Sequence, residues 1–415
     1  VEAFFEAQKS GARKDVKPVE ELPARALHAH PKVTFLVDEE AASMTRLTTL
    51  LQRSNLTYDK VQALADRFSP KELTVDINGE QKKLLLPSGF DFYDPKVMDI
   101  DEKFEPSNSV HVKALQEALA RTTDVGVGAH QDDIEIMAGP MLLDAAKSND
   151  RHWLTVIVTD GAASKSILND MAAELTPKQL TDMRQREQRE AARAAGTPAI
   201  QLKYPSAAVN GHMGEGKRQE ASLALGSLFA AMPETQRVFG HNPIDKHATH
   251  LAVFAVQTAA LRAAKNPKLQ EVHAMEVWGG LTGVPESQLS LFVVENKDKL
   301  KEIGVLIDKY QSQILGRGRD YTEGTLARMQ GHGAYVSSPH LNNPPAGMVI
   351  GIDVTEFTKS ASNDMSALAR QLLEKTTEIK TRLAAKHPIP KTPDIAGGFT
   401  GSLLSRKTEP DERKL

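Results

Sequence analysis

From about residue 110 onward the chain alternates short β-prone apolar runs with longer stretches of helical spacing, and nothing else in it limits the fold as strongly. The apolar runs are "DVGVGA", "HWLTVIVTDG", "AIQLKYP", "QRVFGHN" and "VHAMEVWG". Between and around them stand "HVKALQEALART", "IMAGPMLLDAAK", "TPKQLTDMRQREQREAARAAG" and "DKHATHLAVFAVQTAALRAAK", whose apolar residues recur every three or four positions. Strands alternating with helices of roughly 10–20 residues favour a parallel sheet covered on both faces. The expected class is α/β: a doubly wound, Rossmann-like, mostly parallel sheet flanked by helices.

The first ~110 residues read differently. Residues 39–68 carry Met44, Leu47, Leu50 and Leu51, then Val61, Leu64, Ala65 and Phe68, at helical spacing. Asn78-Gly79 between two β-prone runs predicts a hairpin. Residues 87–109, rich in Pro, Asp and Ser, read as a surface linker and a domain boundary. The expected organisation is a mainly helical N-terminal accessory segment over 1–109, an α/β domain with C-terminal helices (around 296–315 and 362–385) over 110–385, and a polar tail over 386–415.

Composition narrows the chemistry. There is no cysteine, so a metal site here has to be built from histidine and carboxylate. Net charge is −3, with 51 basic against 54 acidic residues, which asks for no nucleic-acid partner. No apolar run reaches the ~18–20 residues of a membrane span. Lack of cysteine fits a reducing compartment, so the cytoplasm is the expected location. The chain begins with Val, which leaves a processed N-terminus or a lost targeting segment open.

In open α/β sheets ligands bind beyond the carboxyl ends of the strands. Those ends carry His130, Asp132 and Asp133 in "GAHQDDIE", Asp160 after the second strand, and "HNPIDKHATH", with Asn242, His247 and His250, after the fourth. Gly126 and Gly128 do not make a dinucleotide fingerprint: position 131 is Gln where G-x-G-x-x-G needs glycine, and acidic residues would face the pyrophosphate. His130 and Asp133, three apart, and His247 and His250, three apart on one helical face, suit a divalent ion with an open position for water. Each pair alone has a plainer reading, as a helix cap or a polar loop residue. Trp278 and His212 read first as packing and loop residues.

The motif "AHQDDIE" resembles the A-H-P-D-D-x-E signature of the PIG-L/LmbE-like family of zinc-dependent N-acetylglucosamine deacetylases. "HNPIDKHATH" is similar to its H-x-x-H segment, and "VTDGAAS" and "RQREQREAARAAG" match its second strand and next helix, so the likeness spans roughly residues 120–335. The resemblance implies Zn²⁺ ligands His130, Asp133 and His250, with Fe²⁺ or another divalent ion as the alternative. It implies Asp132 as general base, His247 as the group that stabilises the oxyanion and protonates the amine, and Arg186 as a substrate-binding residue. Asp160 and Asn242 join Arg186 in the expected substrate-contacting set. The implied partner is a small carbohydrate bearing an N-acetyl group; another amide, or a metal-free relative acting as a binding protein, are the competing readings. Gln131 stands where the family usually has proline, and Thr249 where it often has aspartate. The sequence leaves the oligomeric state, the acyl group and the aglycone open.

Overall fold

The computed structural model describes residues 70–374, apart from 163–174, 213–214, 282, 317–318, 338–344, 361, 363 and 373. The helices expected over 39–68 and the tail after 386 lie outside the described residues, as does most of the helix expected over 362–385. The described chain opens with β1 (Pro70–Ile77) and β2 (Glu80–Pro87), an antiparallel hairpin. Asn78 and Gly79 turn it with φ of 54° and 86°, as that dipeptide allows. Then follow β3 (Asp91–Tyr93), α1 (Ser109–Arg121), β4 (Asp124–Gly128), α2 (Asp133–Ala146), β5 (Trp153–Thr159) and α3 (Pro177–Ala195). The middle of the chain gives β6 (Ala199–Tyr204), α4 (Ser206–Val209), α5 (Glu215–Ala230), β7 (Arg237–His241), α6 (Ala248–Ala264) and β8 (Glu271–Met275). The last part gives β9 (Ser290–Val294), α7 (Lys297–Ile307), α8 (Gln311–Ile314), the short pair β10 (Leu315–Gly316) and β11 (Arg319–Asp320), α9 (Tyr321–Ser337), β12 (Gly347–Asp353) and α10 (Thr355–Lys359).

Eight strands form one sheet in the order β3–β6–β5–β4–β7–β8–β12–β9. The five strands read from the sequence pair in parallel. The three that escaped it make the antiparallel pairs: β3 on β6 at one edge, and β12 between β8 and the other edge strand, β9. Chain order reverses between β4 and β7, since β5 lies on one side of β4 and β7 on the other. That reversal opens a crevice at the carboxyl ends of both strands.

Side-chain alternation divides the core. Val125, Val127, Val156 and Val158 belong to the layer shared with α1, α5, α6 and the hairpin. Trp153, Ile157, Phe239 and Met275 face the opposite layer, with Ile134 and Met137 of α2 and Leu300 and Ile303 of α7. The hairpin contributes Val75, Ile77, Leu84 and Leu86, all nearly inaccessible, and the Leu85 amide donates to Ser227 Oγ of α5 at 2.9 Å.

Residues 87–109 are not a surface linker. Phe92 and Tyr93 are buried in β3, Phe104 packs edge-on against Phe92 at 5.7 Å, and Asp91 is forked by Arg189 of α3 at 2.9 and 2.5 Å. Proline and aspartate marked turns correctly. The alternating "FDFY" between them was too short to register as a strand.

The glycines of β4 serve packing. A Cβ on Gly126 would stand 2.6 Å from Trp153 Cζ2 and 3.1 Å from Ile134, so bare backbone lets α2 and Trp153 close over the strand. Gly126→Ala is expected to lose about 1–3 kcal/mol of stability through overpacking, read from urea unfolding. An unchanged midpoint would mean that Trp153 and Ile134 yield freely.

Candidate metal centre and active site

The site lies at the strand-order reversal. β4 and β7 are hydrogen-bonded neighbours, so the turn after Gly128 and the loop after His241 emerge side by side. The first turn holds His130, Gln131 and Asp132 and enters α2 at Asp133. The second loop ends at His247, the residue before α6, and one turn later α6 presents His250.

Asp133 is the centre of the cluster. The His130 amide donates to its Oδ2 at 2.7 Å. His250 Nε2 lies 3.4 Å from Oδ1, and the His130 and His241 rings lie 3.5 and 3.2 Å from Oδ2. Asp245 organises the other side: its Oδ1 accepts the His247 amide at 2.8 Å, and its Oδ2 is 3.2 Å from His250 Nδ1. A carboxylate on Nδ1 puts the His250 proton there and turns the Nε2 lone pair toward Asp133. Burial, reinforced by His241, lowers the His250 pKa to about 4, so the ring is neutral near pH 7. A neutral imidazole nitrogen and a carboxylate oxygen then face one another, and His250 Nε2 is buried with no hydrogen-bond partner. Ligand atoms of His130, His247 and His250 lie within 4.8 Å of one another, as do those of Asp133, His241 and His250.

This arrangement fits a divalent cation. Two ligands about 2.0–2.2 Å from one tetrahedral ion stand about 3.3–3.6 Å apart. The 3.4 Å between His250 Nε2 and Asp133 Oδ1 lies in that range. His241 has a different task. The Ala129 N–H donates to its Nε2 at 2.8 Å, which engages that lone pair and ties the end of β7 to the end of β4. Sequence reading placed His241 only in the site's neighbourhood, because a strand-end histidine carries no spacing signal.

Asp132 is not a helix cap. It precedes α2 at φ 101°, ψ −31°, and its side chain makes no capping hydrogen bond. It is 5% exposed, and burial together with the adjacent Asp133 carboxylate holds its pKa well above the usual carboxylate range. Arg184 opposes that rise, which places its cation near Asp132.

The structure does not bring Arg186 to the site. Its side chain is half exposed, pairing with Asp101 and, at 3.2 Å, with Glu190. Two residues along an α-helix turn the side chain by about 200°. Arg184 therefore faces the crevice, hydrogen-bonded to the Gly161 carbonyl, while Arg186 faces solvent. Asp160 directly follows β5, next to the end of β4: burial raises its pKa, opposed by the Ala162 amide, which it accepts at 3.1 Å, and by Arg184 and His130. Asn242 is buried and its side chain is engaged by the protein, donating to the Met275 carbonyl of β8 at 2.9 Å and accepting the Ile244 amide at 3.1 Å. Thr249 points away and accepts from Asn210 at 3.2 Å. Trp278 packs edge-on against Tyr321, ring centroids 5.3 Å apart.

Behind Asp132, α3 presents Glu187 and Gln188 on the same face as Arg184. Glu187 accepts the Ser312 amide and hydroxyl at 2.7 and 2.6 Å, and so holds α8 against the site. Burial raises both Glu187 and Glu135, the last residue of the opening motif, to about 7.

Residues 125–261 match the model of the PIG-L family, described as GlcNAc-PI de-N-acetylase. No curated protein matches the sequence. Among solved structures, similar chains include the 4-carboxy-2-hydroxymuconate hydratase of Pseudomonas putida KT2440, at 14% identity and TM-score 0.42, covering 56% of this chain and 96% of that one. Others are the A40926 pseudoaglycone deacetylase, at 15% identity and TM-score 0.42, covering 58% of this chain and 100% of that one, and the N,N'-diacetylchitobiose deacetylase of Pyrococcus horikoshii, at 15% identity and TM-score 0.38, covering 55% of this chain and 83% of that one.

Two outcomes are expected. His250→Ala removes a ligand and lowers bound metal to near zero by elemental analysis. Asp245→Asn keeps the ligand but weakens affinity about 10–100-fold, as loss of an outer partner does; unchanged affinity in both would dissolve the centre described above. The second concerns pH. Glu187 stays protonated in the folded chain up to about 7, against an ordinary value of 4.5. A raised carboxyl stabilises the fold below its unfolded pKa and loses that contribution as pH rises through the folded one. Urea unfolding of Glu187→Gln should therefore gain on the parent between pH 5 and pH 8, and a pH-independent difference would contradict the shift.

Proposed function

We propose that this PIG-L-family chain, matched to the family over residues 125–261, is a zinc-dependent deacetylase that hydrolyses the N-acetyl amide of an N-acetylglucosamine-type sugar or conjugate. The observation that carries the reading is Asp133 lying 3.5 Å from the His130 ring and 3.4 Å from the His250 ring, with a second buried carboxylate, Asp132, on the adjoining residue.

A bound zinc ion would supply a water of lowered pKa and polarise the amide carbonyl. The protein's own groups do the rest. Asp132, its pKa raised by burial, takes a proton from the attacking water, and the water oxygen bonds to the carbonyl carbon. His247 lies across from His130, ring centroids 5.0 Å apart, and burial lowers its pKa. In its protonated form it is then a strong acid toward the departing nitrogen, and a cationic donor for the oxyanion before that. The C–N bond breaks, the nitrogen leaves as a protonated amine, and acetate remains. Arg184 and Asp160, on the side of the crevice toward β5, orient sugar hydroxyls. No helix among the described residues is long and apolar enough to cross a membrane.

The test is a panel of N-acetylated sugars scored for free amine with zinc or ferrous ion supplied. Asp132→Asn should retain metal and KM and lose about 10²–10⁴-fold in kcat. Absence of amine release from a metal-loaded chain across the panel would reject the carbohydrate reading in favour of another amide. Failure to bind either ion would leave a metal-free binding protein.

A further inference from the structure

Asp132 sits at φ 101° in a buried turn without a cap hydrogen bond, a conformation that L side chains rarely adopt. Such a residue persists only where its neighbours over-determine it. On its C-terminal side Asp133 is held by the His130 amide and the histidine cluster. On its N-terminal side stands Gln131, fully buried. Gln131 Nε2 lies 3.2 Å from Gln201 Oε1 and 3.4 Å from the Thr159 carbonyl, and its own carbonyl accepts from Gln313. Gln201 Nε2 passes on to the Gln185 carbonyl at 3.1 Å and to Asp91 Oδ2 at 3.5 Å. Asp91 is gripped by both arms of Arg189, whose Nη1 also binds the Ile100 and Glu102 carbonyls at 3.0 and 2.7 Å.

We infer that Gln131, Gln201 and the Asp91–Arg189 pair form a chain of positioning residues that fixes the turn carrying Asp132. The support of the candidate base thereby extends to β3, outside the family-matched segment 125–261. The role of Asp132 as base rests on the function proposed above; the pinning of the turn does not. Each link is a directional contact between groups with no access to water, so a shift at one end moves the next donor. Placement of a reacting group by about 1 Å changes rates by about 10²-fold, so a loosened turn costs rate before it costs metal.

Two experiments test the chain. In metal-free protein, hydrogen exchange of amides 130–136 is compared in the parent, Gln131→Met and Asp91→Asn. Methionine keeps the volume and removes the donors. Both variants should exchange about tenfold faster there, by analogy with the opening of any locally destabilised turn, while β4 and β5 keep their protection. Unchanged exchange over 130–136 in both overturns the proposal, and so does a loss of protection spread evenly over the sheet.

The second experiment is a double-mutant cycle on metal-loaded protein. Gln131→Met alone should lower kcat about 10–100-fold with KM and metal content held. In an Asp132→Asn background the same change should cost nothing more, because Gln131 acts through Asp132. Additive losses mean that Gln131 supports the fold generally and overturn the positioning role. Full kcat in Asp132→Asn would remove the base reading, and the exchange result would still decide whether the turn is pinned.

Discussion

The Asp133 carboxylate is the interaction on which the site depends. It is 1% exposed, and burying an ion there is tolerable only because polar groups converge on it. The His130 amide, the His241 ring and the His250 ring reach it from three separate pieces of chain. Burial alone would raise its pKa, but His250, His241 and His130 outweigh that and hold the carboxyl well below its ordinary value. Near pH 7 the His130 amide donates to it while His250 turns an Nε2 lone pair toward it, so a cation held there would offset the buried charge.

Arrival is guaranteed by topology rather than by the loops. β4 and β7 are adjacent only because the chain reverses its winding between them, and the bare backbone at Gly126 and Gly128 lets α2 approach. The Ala129–His241 hydrogen bond then stitches the two strand ends at 2.8 Å. Asp245 completes the frame from the far loop. Its Oδ2 stands 3.2 Å from His250 Nδ1, and its Oδ1 accepts the His247 amide.

Much of this was legible in the sequence because it is periodic or local. Five parallel strands, the helices between them and the Asn78-Gly79 turn all follow from spacing of apolar residues and from turn chemistry. His130, His247 and His250 lie within 4.8 Å of one another at those strand ends, as do Asp133, His241 and His250. What escaped is non-local or too short. β3 has three residues, and it joins the sheet by pairing antiparallel with β6, Asp91 opposite Gln201, 110 positions away. β9 and β12 enter antiparallel after the β/α alternation has ceased. The run Arg184, Arg186, Arg189 on α3 offers several arginines, and a run of charged residues does not by itself reveal its phase. Burial of Leu180, Arg184, Glu187 and Gln188 on one stripe reveals it. The Glu187–Ser312 contact spans 125 positions and leaves no local trace.

The strained backbone at Asp132 explains how two consecutive aspartates can hold different tasks. In regular helix, Asp132 and Asp133 would diverge by about 100° and rise by about 1.5 Å, leaving both carboxylates on overlapping sides of α2. At φ 101° the chain instead turns Asp132 out of the helical path before α2 begins. Asp133 is left to the imidazoles, and Asp132 is left beside Arg184, in the shadow of its neighbour's charge. Burial and that charge push Asp132 up, while the imidazoles pull Asp133 down, so two neighbouring carboxyls of one motif titrate apart. With His250 held neutral by burial, little imidazolium charge offsets the buried carboxylates near pH 7. A divalent ion at His130, Asp133 and His250 would supply the missing positive charge where the field is strongest, and would draw the Asp132 pKa back toward the range in which a base can both accept and release a proton.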